Sequence, residues 1–157
     1  MNKTKQLLAY LIKNHSNPTV TSLMKLSYLI DLVNIQKTDK RISDFEYTRY
    51  IYGPFDYKIY NYLGDLIKEG VIFEDSDYTP RGDEYIIYKF NEDNEDFKFD
   101  RLTEKEKDTI DEVLDTVNGL GAKALTEIAY RTKPMKKINA SIGDTENLNV
   151  LLDLKAQ

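Results

Sequence analysis

Residues 47–60 read Tyr47-Thr48-Arg49-Tyr50-Ile51-Tyr52-Gly53-Pro54-Phe55-Asp56-Tyr57-Lys58-Ile59-Tyr60. Six of the chain's 12 tyrosines fall between Tyr47 and Tyr62, around its only Gly-Pro pair. Ahead of that pair, Phe45, Tyr47, Arg49 and Ile51 alternate with Glu46, Thr48, Tyr50 and Tyr52, which is the period of a strand with one face inward. Proline fixes its own φ and pushes the preceding residue out of the helical region, so the strand is expected to stop at Gly53-Pro54. A helical pattern over 56–69 follows, with Ile59, Leu63, Leu66 and Ile67 inward. The pair therefore reads as a strand-to-helix corner.

Working outward, residues 3–15 carry Leu7, Leu8, Leu11 and Ile12 at helical spacing. Asn17-Pro18 breaks that stripe, and Thr19 or Thr21 can cap a second helix that runs to about Lys37. This helix is apolar nearly all round (Leu23, Leu26, Leu29, Ile30, Leu32, Val33, Ile35), which is the pattern of a buried central helix. Beyond the third helix, Gly70 suits a left-handed helix end. Val71-Ile72-Phe73 and Glu84–Phe90 look like strands joined by a turn-rich 75–83. Thr103 with Glu106 is a capping box opening a fourth helix, which Asn118-Gly119 ends. Ala122–Tyr130 reads as a fifth helix, Pro134 as a stop and 147–154 as a sixth helix. The expectation is a predominantly helical α+β fold, a compact helical domain with a small antiparallel sheet or hairpin and the element order of a winged helix.

A chain of 157 residues fits one domain over 1–157, large enough to bury about two thirds of its unfolded surface. Apolar residues at 41% and charged residues at 31% are the balance of a globular protein rather than a disordered one. No apolar run is long enough to cross a bilayer, and Lys3, Lys5 and Lys13 inside the first helix argue against a signal peptide. The absence of cysteine excludes disulfides, thiolate nucleophiles and Cys-ligated zinc, and fits a cytoplasmic setting. The net charge of −5 is uneven. Residues 1–60 hold nine bases and five acids, whereas 91–115 hold four bases and 11 acids. Such an acidic band attracts a basic partner and repels nucleic acid from its face.

Reactive chemistry is sparse. His15, the only histidine, sits at the end of the first helix, where capping or dipole compensation is its simplest role. Glu92, Asp93, Glu95 and Asp96 lack the glycine spacing of a calcium loop. Gly119-Leu120-Gly121 is too short for a phosphate loop and reads as a helix stop and restart. No catalytic, metal-binding or cofactor-binding residues are assigned, and a non-enzymatic role is expected.

The ordered set Lys25-Leu26-Ser27-Tyr28-Leu29-Ile30-Asp31, Thr38-Asp39-Lys40-Arg41, Tyr52-Gly53-Pro54-Phe55 and Ile59-Tyr60 resembles the Panacea domain of SocA-like antitoxins. Gly119-Leu120, Leu125-Thr126 and Pro134-Met135 extend the resemblance, which covers about residues 20–138. Lys25, Leu26, Tyr28, Asp31, Gly53, Pro54 and Tyr60 are its fold-signature positions. The family's tryptophans before the Gly-Pro and after the late proline are replaced by Tyr50 or Ile51 and by Met135. The resemblance implies a bacterial, phage- or prophage-associated antitoxin of a type II-like toxin–antitoxin system. Such a protein neutralises a toxin, commonly encoded next to it, by direct binding. A relative that acts as a proteolytic adaptor to a Clp-type protease supplies an alternative.

Tyr28, Tyr47, Tyr60 and Tyr85 are compatible with ordinary semi-buried packing. The alternation, however, places Tyr47 opposite Tyr50 and Tyr52, so part of the cluster must stay accessible. The surface around Tyr50, Tyr52, Phe55 and Tyr57 is therefore the candidate partner-binding site. A winged-helix DNA-binding regulator is the competing class. It is disfavoured because residues 20–36 carry a single base, Lys25, and the nearest basic cluster is Lys133, Lys136 and Lys137.

Overall fold

The computed structural model describes residues 2–156. Its centre is α2 (Val20–Thr38), opened by a capping box in which Thr19 and Ser22 bond each other's backbone N–H. Leu23, Met24, Leu26, Tyr28 and Ile30 are fully buried, although they point in different directions around the helix axis. That is possible because α2 is surrounded: α1 (Lys3–Asn14), α4 (Glu104–Thr116), α5 (Ala122–Tyr130) and a small hairpin all pack on it. Asp39, left-handed at φ 63°, closes the helix.

Around this axis, α1 also packs on α3 (Lys58–Lys68) and on a hairpin of β3 (Ile72–Tyr78) and β4 (Glu84–Phe90). Two antiparallel pairs result: β3–β4, and a short hairpin of β1 (Thr48–Tyr50) and β2 (Gly53–Phe55). Six helices and four strands thus appear among the described residues, in the mostly helical α+β architecture expected. The Thr103–Glu106 capping box opens α4, and α5 spans the residues anticipated for it.

Four local expectations are corrected. The Gly-Pro pair is not a strand-to-helix corner, because it lies inside β2. Ile51 and Tyr52 make the turn, and Tyr50, Arg49 and Thr48 face Gly53, Pro54 and Phe55. Pro54 is tolerated because β2 has no strand on its other side to need the missing N–H. The helix starts later, where Asp56 accepts the Lys58 N–H on its carboxylate and the Ile59 N–H on its carbonyl.

Strand β3 runs to Tyr78, so the turn is confined to 79–83, where Thr79 N–H bonds Asp83 O and Gly82 N–H bonds Thr79 O. Pro134 does not stop a helix; it occupies the first turn of α6 (Lys133–Lys137), where its absent N–H is unneeded.

Residues 147–154 are not helical: 146–149 form a turn, and Leu151 beyond it bridges Thr48 of β1. Asn147 and Asn149 are left-handed, at φ 59° and 64°, which breaks any helix. The segment lies antiparallel along β1: Arg49 N–H donates to Val150 O (2.9 Å), Asn149 N–H to Arg49 O (2.7 Å) and Leu152 N–H to Tyr47 O (2.9 Å). Leu152 and Leu154 point into the core. The β1–β2 hairpin is thereby flanked by the C-terminal segment on one side and clasped to α2 on the other.

Candidate partner-binding surface

Alternation along 45–52 decides which rings are inside. Phe45, Tyr47 and Arg49 are fully buried, while Tyr50 and Tyr52 are 36% and 63% exposed. Tyr57 (67%) and Tyr60 (52%) join them from the start of α3. The rings form a connected chain, with centroids 5.9 Å apart for Tyr50–Tyr52, 5.5 Å for Tyr50–Phe55, 5.1 Å for Phe55–Tyr57 and 6.1 Å for Phe55–Tyr60. Phe55 is only 9% exposed. It is therefore the ring that the exposed tyrosines lean on, not a contact residue, which corrects its place in the expected site. Tyr60, expected among semi-buried signature residues, belongs to the surface instead. Tyr28 and Tyr47 are fully buried and Tyr85 is half-buried.

Three buried polar groups hold this surface in place. Lys25, on α2, is 1% exposed and donates to Pro54 O at 3.1 Å, while its ammonium lies 5.9 Å from the Phe55 ring centre. No carboxylate lies within ion-pairing distance among the described residues, and burial pulls its pKa down to about 7. Gly53 (φ 104°) makes the clasp possible: a Cβ there would sit 3.1 Å from Lys25 Cε. Six residues further along α2, Asp31 accepts the N–H groups of Ile42 and Ser43 and the hydroxyls of Ser43 and Tyr47. Burial raises the Asp31 carboxyl above the usual range while these donors pull it down. Tyr28 stacks edge-on against Tyr47 and hydrogen-bonds Thr132 at 2.6 Å. Of the signature positions, then, Lys25, Tyr28, Asp31, Gly53 and Pro54 build the frame of the hairpin, and Leu26 is buried in the core.

Arg49 is the third group, which the strand alternation put on the face of Phe45 and Tyr47 without giving it a task. Its fully buried guanidinium donates to the carbonyls of Ser141, Asp144 and Glu146 at 3.0–3.1 Å and approaches Asp144 Oδ1 at 3.2 Å. It also lies 5.5 Å from the Tyr130 ring centre. Tyr130 in turn donates to Tyr50 O and Ile51 O, at 3.3 and 3.0 Å. The loop that Arg49 gathers carries Ile142, 57% exposed, which walls a groove of about 360 Å³ beside Tyr52 with Thr21, Ala122, Lys123 and Thr126. A basic residue on the inward phase of a strand was the available signal.

Other expected features are less suited to binding or chemistry. Lys25, the single base on α2 between 20 and 36, is buried and cannot reach a DNA groove. Lys137, of the basic cluster, pairs with Asp153 at 3.0 Å. His15 caps α1 by donating its backbone N–H to Leu11 O, and burial lowers its imidazole pKa. No group of three or more metal-ligating side chains occurs among the described residues, and no helix is long and apolar enough to cross a membrane.

Residues 23–134 match a protein family described as "Antitoxin SocA-like, Panacea domain". No curated protein and no solved structure matches the chain.

Proposed function

Since the chain belongs to the SocA-like antitoxin family with a Panacea domain, we propose that it neutralises a toxin protein by binding it through the exposed tyrosine surface. The observation that supports this reading is the connected set of Tyr50, Tyr52, Tyr57 and Tyr60 held around Phe55. Large rings with few rotatable bonds and a polar tip are favoured interface anchors, because they bury much area for little lost freedom. Here Tyr50 and Tyr52 rest on a hairpin tied to α2 by Lys25 and to the C-terminal segment by backbone hydrogen bonds, and Tyr57 and Tyr60 stand at the start of α3. The surface is thus organised before its partner arrives, which lowers the ordering cost of binding. Inhibition follows from covering the toxin's working surface, and requires no chemistry, metal or cofactor from this chain.

The test is co-expression. Each open reading frame flanking this gene is induced alone and with this chain. A frame that stops growth alone and is harmless in the pair identifies the toxin. The reading fails if no flanking product is toxic, or if toxicity persists beside soluble, folded antitoxin.

A further inference from the structure

The tyrosine surface does not end at Tyr60. Helix α3, which carries Tyr60, packs on β3, and Tyr88 of β4, 6% exposed, stands opposite Glu74 of β3. Glu74, Ser76 and Tyr78 of β3 stand opposite Tyr88, Ile86 and Glu84 of β4. Side chains alternate along each strand, so these six residues share one face of the ribbon. Toward the tip the face has nothing packed on it: Tyr78 is 60% and Ile86 48% exposed. It holds two carboxylates and no base. Lys89 is on the opposite face, paired with Asp75 at 2.8 Å, and Arg81 lies in the turn at the ribbon's tip without an ion pair to Glu74 or Glu84 among the described residues. Neither Glu74 nor Glu84 has a cation within 4.0 Å among the described residues. Glu84 accepts only the neutral hydroxyls of Ser76 and Tyr78.

The larger acidic stretch, 91–115, differs. Glu106 pairs with Lys3 at 3.0 Å, Glu112 pairs with Lys37, and Glu104 meets Lys107 at 3.4 Å. Asp111 and Asp100 accept from Tyr10 and Gln6, at 2.7 and 3.0 Å. Five of that stretch's 11 carboxylates are thus engaged within the chain, three of them by cations, whereas on this face of the ribbon Glu84 meets only neutral hydroxyls and Glu74 meets no side-chain partner among the described residues.

We propose that this face of the β3–β4 ribbon continues the tyrosine surface and receives an arginine-bearing face of the same protein partner. The inference rests on the reading of the chain as a toxin-binding protein. Charge complementarity selects a basic occupant, since a neutral one would strip water from Glu74 and Glu84 without pairing them. The exposed Tyr78 ring beside Glu84 selects arginine over lysine: a planar guanidinium stacks on a ring while its N–H fork meets a carboxylate. Nucleic acid is repelled by the same two carboxylates.

The test uses the whole chain and a defined probe, the peptide acetyl-Arg-Ala-Arg-Ala-Arg-amide, titrated by NMR at low salt beside its lysine counterpart. Signals of Tyr60, Tyr78 and Ile86 are expected to shift with the arginine peptide. The shifts should be more than halved in Glu74→Gln/Glu84→Gln, whose exposed substitutions leave the melting temperature unchanged. Shifts that map elsewhere, persist in the variant or are equalled by the lysine peptide overturn the proposal. Once a toxin is identified, the same variant should slow association about tenfold at low salt and flatten its salt dependence. An unchanged association rate and salt dependence would overturn the proposal even where tyrosine substitutions weaken the complex. If the peptide binds at the ribbon but no flanking product is neutralised, it is the antitoxin reading that fails.

Discussion

Replacing Lys25 by methionine should stabilise the protein at neutral pH and destabilise it at alkaline pH. In the unfolded chain this amine titrates near 10.5, whereas burial without a carboxylate brings it to about 7 in the fold. Below 10.5 the unfolded chain binds a proton that the folded chain binds less readily. Stability therefore rises with pH between 7 and 10.5, and levels off below 7 and above 10.5. A fall from 10.5 to about 7 corresponds to about 5 kcal/mol of penalty at the acidic end of that window. Lys25→Met removes this penalty but leaves the buried Pro54 carbonyl without its 3.1 Å donor, a loss of about 1–3 kcal/mol. The variant should thus be more stable than the parent by about 1–3 kcal/mol at pH 7, and less stable by up to about 2 kcal/mol near pH 10. Urea unfolding from pH 7 to pH 9 reads this before surface lysines and tyrosines titrate heavily. The parent's stability should climb by about 1 kcal/mol per pH unit relative to the variant's. Parallel profiles over that range would refute the argument that Lys25 is buried without a counter-charge.

Gly53→Ala places a methyl 3.1 Å from Lys25 Cε at a left-handed φ of 104°, so a loss of about 1–3 kcal/mol is expected in thermal melts. Asp31→Ala strips the acceptor from two backbone N–H groups and two hydroxyls. It should cost more than about 3 kcal/mol by denaturant unfolding, with Asp31→Asn recovering part of the loss. Arg49→Met orphans three carbonyls, and hydrogen exchange should show the amides of Arg49, Asn149 and Leu152 losing protection before those of α2.

What the sequence showed plainly was whatever depends on neighbours in the chain. The all-round apolar run of α2 announced its burial, and Thr103 with Glu106 located the start of α4. Strand alternation separated buried Tyr47 from exposed Tyr50 and Tyr52. The missed features depend on remote partners. Nothing near Gly53-Pro54 says that Lys25, 29 residues back from Pro54, will take its carbonyl and allow a proline-bearing edge strand. Leu148, Val150, Leu152 and Leu154 repeat every second residue, a strand period, but short apolar runs also suit a helix. The decision came from pairing with β1 and from two left-handed asparagines. Tyr60 is adjacent to inward Ile59 on α3, about 100° away around the axis, so its exposure was legible once the buried face of α3 was fixed. Arg49 showed only that a base had landed on an inward phase; its acceptors lie more than 90 residues away.

Isothermal titration of the purified chain with the toxin identified by co-expression tests the tyrosine surface most directly. Tyr52→Ala/Tyr57→Ala removes the two most exposed rings of the set, 63% and 67% exposed, without touching the core. Each ring, if it anchors the interface, contributes about 2 kcal/mol, or roughly thirtyfold in affinity. The account predicts a complex weakened by at least thirtyfold, with an unchanged melting temperature. An unchanged dissociation constant in a folded double variant would contradict it.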